Sequence, residues 1–145
     1  MFAPYVLAGV VLCAPALARA DEGAVLTVKV ERIAKAGGNL RLAIYKAKSI
    51  PDDNADPIID KVVSAIPSVQ TVELPAIPPG VYAVKMFQDV NRNEKFDFSW
   101  LGIPSERYGF SNNARPNWFR MSAPTFEEAK IELKPGANRI EIWLH

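Results

Sequence analysis

Apolar and polar residues alternate with a period of two along most of this chain. Leu26, Val28 and Val30 alternate with Thr27, Lys29 and Glu31, and Leu40, Leu42 and Ile44 with Arg41, Ala43 and Tyr45. A strand sends successive side chains to opposite faces, so this period predicts half-buried strands and excludes helices, whose apolar stripe returns every 3.6 residues. The period-two runs are 25–32, 39–46, 68–74, 80–88, 129–134 and 138–144. Gly37-Gly38-Asn39 between the first two is a hairpin signal. Residues 49–60 carry two prolines and four aspartates and read as a loop, with a short strand or helical turn at 58–63. In 68–74 the inward face is ambiguous, because valines fall on both parities, and 75–80 is a proline-rich turn. Residues 81–87 are apolar on both faces, which predicts a central strand. A turn of helix is expected only around 126–129.

Strands that hide one face must pack sheet on sheet. The expected fold is therefore all-β, an antiparallel β-sandwich of about seven strands of the immunoglobulin or transthyretin kind, with one long aromatic-rich loop.

Residues 1–20 include an apolar run over 5–17 and end Ala18-Arg19-Ala20 before Asp21-Glu22, which reads as a secretory signal cleaved after Ala20. The run is short for a bilayer span of about 20 residues, so no transmembrane segment is expected after cleavage, although retention as an anchor is the alternative. Cys13 follows the bulky Leu12, which argues against lipid attachment. The mature domain, 21–145, has no cysteine, so neither disulfides nor thiol chemistry are available to it. It holds 16 basic and 16 acidic residues once Arg19 is removed, a balance that excludes an electrostatic nucleic-acid binder. The expected location is periplasmic or secreted.

The most specific chemistry lies at 89–97. Asp89, Asn91, Asn93 and Asp97 place side-chain oxygens at positions 1, 3, 5 and 9 of a calcium loop, and Lys95 supplies a backbone carbonyl at position 7. Position 6 is Glu94, not glycine, and position 12 is Trp100, not glutamate. A closing carboxylate must then come from elsewhere, with Glu106, returned by the Gly102-Ile103-Pro104 turn, as the candidate. The same residues also suit Asx-turns, in which side chains bond to the local backbone. Both readings, Ca2+ ligation by Asp89, Asn91, Asn93, Lys95, Asp97 and Glu106 or a self-bonded loop, are open at this level.

Seven of the mature domain's twelve aromatic residues fall within 96–119. Such side chains either bury as a small core or form a platform for a ligand. In the second case Trp100, Tyr108, Phe110 and Trp118, with Asn112 and Asn113 beside them, are the expected contacts for a glycan or peptide. Catalysis has little to work with: His145 is the single histidine, and paired carboxylates such as Asp97 and Glu106 are what glycoside hydrolysis could use. The expectation is a non-catalytic envelope-associated binding module, with a glycan-directed protein as the alternative.

The blocks Gly80-Val81-Tyr82-Ala83-Val84, Asp89-Val90-Asn91-Arg92-Asn93, Asp97 and Leu101-Gly102-Ile103-Pro104-Ser105-Glu106-Arg107-Tyr108-Gly109-Phe110-Ser111-Asn112-Asn113-Ala114 resemble the bacterial exported family called domain of unknown function 2141. Pro124-Thr125-Phe126 and Ala129 extend the resemblance over most of the mature chain. It implies an exported small β-domain and no particular reaction. Members of that family typically have glycine where this chain has Glu94 and often histidine where it has Gln88.

Overall fold

The computed structural model describes residues 22–46, 56–117, 119 and 122–145. The expected signal with Cys13, part of the expected 49–60 loop and Trp118 lie outside the described residues. Eight strands form two sheets. Sheet A is β1 (Ala24–Ile33) flanked by β4 (Ser68–Glu73) and β8 (Gly136–Trp143). Sheet B runs β3 (Ile59–Ser64), β2 (Asn39–Lys46), β5 (Gly80–Asp89), β6 (Tyr108–Phe110), with β7 (Lys130–Leu133) also paired to β5. The pairs are antiparallel except β1 with β8, which run parallel from Ala24 beside Gly136 to Glu31 beside Trp143. Parallel neighbours need a long crossover, and here the rest of the domain supplies it.

The alternation read from the sequence sets the core. Leu26, Val28 and Val30 of β1, Leu40, Leu42 and Ile44 of β2, and Tyr82, Val84 and Met86 of β5 are all buried between the sheets with Ile142 and Leu144. The ambiguous strand β4 turns Val72 inward and leaves Val69 in solvent, a choice made by its register, which sets Val72 opposite Val28. Each large aliphatic side chain fully buried here contributes on the order of 1.5–3 kcal/mol.

β5 is the central strand. One edge pairs with β2 along eight residues, and the other is shared end to end by β7, at Gly80–Ala83, and β6, at Lys85–Phe87. Between them Val84 has no strand partner on that edge. Its N–H donates instead to Ser111 Oγ at 2.9 Å, and the Ser111 hydroxyl donates to the Ala129 carbonyl. Ser111 is fully buried, at the start of a short 3-10 turn (Ser111–Asn113). One hydroxyl thus replaces the missing rung, which a buried amide requires. A single turn of helix, α1 (Phe126–Ala129), leads into β7 and is closed by a capping box between Thr125 and Glu128.

Two glycines are fixed by close approach. A Cβ on Gly38, whose φ is +84°, would lie 2.2 Å from the Asp89 carbonyl oxygen, and one on Gly109 would lie 2.6 Å from Ile142 Cγ2. The first seats the β1–β2 turn against the end of β5. The second lets β8 lie directly on β6. Gln88 completes the first contact: fully buried, it donates to the Ala34 and Gly37 carbonyls at 3.0 and 2.7 Å and accepts from the Ala34 N–H at 2.8 Å.

Candidate functional site

β5 ends at Asp89 and opens into the 90–107 excursion. The Asp89 carboxylate is fully buried and accepts from the Asn93 N–H at 3.1 Å and the Glu94 N–H at 2.9 Å. Asn91 Oδ1 also accepts from the Asn93 N–H, and Asn93 Oδ1 accepts from the Lys95 N–H at 2.9 Å. The Asn91 and Asn93 amide groups both donate to the Asp97 carboxylate, at 2.7 to 3.0 Å. Glu106, also buried, accepts from the Val90 N–H at 2.9 Å and the Asp97 N–H at 3.2 Å, tying the two ends of the excursion. Asn91, Asn93 and Asp97 meet at one point, whereas Asp89 and Glu106 bind backbone amides beside it. Among the described residues no three Asp, Glu, His or Cys side chains gather as a metal-holding group. Glu94 has φ +66°, the left-handed conformation that favours glycine.

This polar knot holds up an apolar wall. Phe96 sits against Phe87, Phe98 and Tyr108, with ring centroids 5.4, 4.9 and 5.6 Å away and the rings tilted or edge to face. Phe87 and Lys85 lie on the outer face of β5, directly opposite Tyr108 and Phe110 of β6. Together with the Gly102 and Pro104 hairpin on one side and Pro116, Ser122 and Ala123 on the other, they enclose a pocket of about 440 Å³. The hairpin is held by Ser99 N–H to the Ile103 carbonyl at 2.8 Å and Gly102 N–H to the Ser99 carbonyl at 2.9 Å. Its tip carries Trp100 at 92% exposure, with Leu101 and Ile103 also more than half exposed.

The residues of the expected platform divide. Tyr108 lines the pocket half-buried, Phe110 lines it as part of a buried outer cluster with Ala83, Phe126 and Ala129, and Trp100 stands in solvent. Asn112 donates to the Lys130 carbonyl at 2.7 Å and Asn113 accepts from the Trp143 N–H at 2.8 Å, so both amides serve the fold. Phe87, Pro104, Ser122 and Ala123 were not among the residues singled out from sequence. Phe87 had a signal: an outward apolar side chain on a strand apolar on both faces needs a cover.

Beyond Tyr108 the two sheets meet. Tyr108 and His145 exchange main-chain hydrogen bonds at 3.2 and 2.9 Å, so His145 is pinned rather than frayed. A bulge in β1 with Arg32 at φ +62° sets its guanidinium over the Trp143 ring at 4.8 Å, and Arg107 Nη1 donates to the Arg32 carbonyl at 2.6 Å. Burial, with Arg115 and Arg32 adding to it, holds the His145 imidazole below its ordinary range. Burial pushes the Tyr108 phenol up, against the pull of Arg115.

An all-β sandwich with an aromatic pocket on the outside of one sheet is the class these features define. Over residues 28–141 the chain matches the family DUF2141, described as an uncharacterized protein conserved in bacteria, and it belongs to that family. Comparison with curated proteins and with solved structures gives no match.

Proposed function

We propose that this is a non-catalytic exported domain, periplasmic or secreted and associated with the envelope, that binds a ligand of largely apolar surface in the pocket outside sheet B. The pocket carries this reading. Its volume of about 440 Å³ lies within the roughly 300–1,000 Å³ of small-molecule sites, Phe87, Phe96, Phe98, Tyr108 and Phe110 line it, and the hairpin at its rim exposes Trp100, Leu101 and Ile103. Export is supported by the apolar run before Ala20. No helix among the described residues is long and apolar enough to cross a membrane. A glycan ligand is the second reading. It is weakened because phenylalanines offer no hydrogen bond and the Asn112 and Asn113 amides are spent within the fold. Glycoside hydrolysis through Asp97 and Glu106 stands behind both, since each carboxylate already accepts amide hydrogens. The test is uptake of a neutral naphthylamine dye. Saturable fluorescence in the wild type, lost in Ser122→Trp at an unchanged melting temperature, is the expected result. No uptake, with depletion of the protein on insoluble polysaccharide, would replace this reading by the glycan one.

Calcium at the polar knot is proposed as an accessory to that site. The support is chemical: Asn91, Asn93 and Asp97 already meet, and a half-turn of each amide, giving up its bond to the Asn93 or Lys95 N–H, would present oxygen there. The residues that would hold the ion are Asp89, Asn91, Asn93, Asp97, the Lys95 carbonyl and Glu106. Bound calcium would supply charge neutralisation and brace the wall at Phe96 and Phe98. An affinity of about 10⁻⁴–10⁻³ M suits a site with so few carboxylates. Melting in millimolar calcium should exceed that in chelator by the equivalent of ~1.4 kcal/mol at tenfold saturation, and Asp89→Ala should remove the difference. Coincident melting curves would leave the self-bonded loop as the answer.

A further inference from the structure

The pocket is not electrically neutral at its Tyr108 end. Arg115 immediately precedes Pro116 of the pocket wall, and its charge pulls both the Tyr108 phenol and the His145 imidazole down. Arg32, stacked on Trp143 two residues before His145, pulls the same imidazole down, and Arg107 is anchored on the Arg32 carbonyl. None of these three guanidiniums makes an ion pair among the described residues. The nearby acids are engaged elsewhere: Glu31 and Glu141 hold Lys29, and Glu106 holds the Val90 and Asp97 amides. His145 Nε2 is buried without a hydrogen-bond partner. A mature domain with equal numbers of acids and bases has no compositional reason to leave such a group of cations unpaired. Buried polar atoms and guanidinium forks are satisfied by oxyanions.

Resting on the pocket as the binding site, we propose that its ligand is an amphiphilic oxyanion. Its apolar body lies against Phe87, Phe96, Phe98 and Tyr108, and its carboxylate or phosphate group sits at the edge where Arg115, Arg32 and His145 gather. The rings select for apolar surface and the arginines for the charged end, so the two together hold an amphiphilic anion more tightly than a neutral chain or a free small anion. Arginine suits either head group because its planar fork matches both geometries.

The experiment is displacement of the neutral dye from the purified protein by dodecanoate, dodecyl phosphate and dodecanol, which share one chain and differ in the head. In the wild type one or both anions should displace the dye at roughly tenfold lower concentration than dodecanol, the ratio expected of one desolvated charge contact worth about 1.4 kcal/mol. The stronger of the two anions tells a carboxylate source from a phosphate one. Arg115→Gln and Arg32→Gln, both at exposed positions, should each bring the anions toward dodecanol while leaving dodecanol unchanged. The ring signals of His145 should shift with dodecanoate and not with dodecanol. If dodecanol matches the anions in the wild type, or the preference survives in the Arg32→Gln, Arg115→Gln double variant, the oxyanion inference is overturned while the pocket stands. If the dye does not bind at all, the pocket reading falls and takes this inference with it.

Discussion

The two faces of β5 are built from the same ten residues and end in opposite states. Inward, Tyr82, Val84 and Met86 are sealed between the sheets; outward, Lys85 and Phe87 form the floor of a pocket whose far wall is an exposed hairpin. The inner face is closed by three further strands of sheet A, elements with their own ladders. The outer face is covered at one end by Phe110, Phe126 and Ala129 and at the other by an excursion held up through carboxylate-to-amide hydrogen bonds at Asp89, Asp97 and Glu106. Packing makes the first face stable. Local polar bonding leaves the second open.

The comparison breaks most directly with one substitution on each face. Leu42→Ala, under full burial opposite Met86, should cost about 2–5 kcal/mol in denaturant unfolding, the range for buried leucines. Phe98→Ala, at 57% exposure, should cost below about 1 kcal/mol, since little area is lost, yet it should weaken dye uptake. An equal cost at the two positions would mean the outer rings are core and not a site.

A second and smaller effect belongs to the seam between β6 and β7. Ser111→Ala leaves the buried Val84 N–H without its acceptor, and an unsatisfied buried donor costs about 1–3 kcal/mol. Hydrogen exchange should show the Val84 amide losing protection before its neighbours in β5. Unchanged exchange there would show that the seam is closed by some other contact.

The inner face was largely legible in the sequence, and the outer one only in part. Period-two alternation depends on neighbouring residues alone, so β1, β2, β5 and β8 and the helical turn at Phe126 lie close to where the pattern put them. β6 escaped because three residues, Tyr108–Phe110, are too few to show a period and sit in a run read as loop. The parallel pairing of β1 with β8 is set by contacts across the whole chain, about which alternation says nothing. At the site, the crowding of aromatics announced burial or binding without saying which ring does which. Phe110 is buried and Trp100 exposed because one lies in a strand and the other at a hairpin tip. The side chains of Arg32, Arg115 and His145 are 30 to 113 residues apart in sequence, and only the fold unites them.

The wall of the outer face carries backbone strain at one residue. Glu94 at φ +66° occupies a conformation costing a non-glycine residue roughly 1–2 kcal/mol, and glycine would recover that less its own entropy of about 0.5–1 kcal/mol. The long 3.8 Å contact from Arg41 to the exposed Glu94 carboxylate contributes little to offset the change. Glu94→Gly should therefore raise stability by about 0.5 kcal/mol, with the gain appearing as protection of the Asn93 and Lys95 amides. A loss would show that the Glu94 side chain matters more than its backbone.

The smallest effect is a dependence on pH at the place where the two faces share an edge. The His145 imidazole is held below its ordinary value of 6.5 by burial first, then by Arg115 and Arg32. A histidine whose pKa is lower folded than unfolded binds its proton more readily in the unfolded chain. Its contribution is therefore complete above about pH 6.5 and is lost progressively as pH falls below that value. The wild type should lose stability between about pH 7 and pH 5 more steeply than His145→Gln, whose side chain does not titrate. Being the chain's one histidine, it gives a single titrating imidazole signal by NMR, with a midpoint displaced to acid. Dodecanoate bound at the arginines would push that midpoint back up, because an anion favours the imidazolium. If the free protein's midpoint sits at or above the ordinary value, the edge is not cationic as the arginines make it, and both the pH dependence and the oxyanion preference lose their common cause.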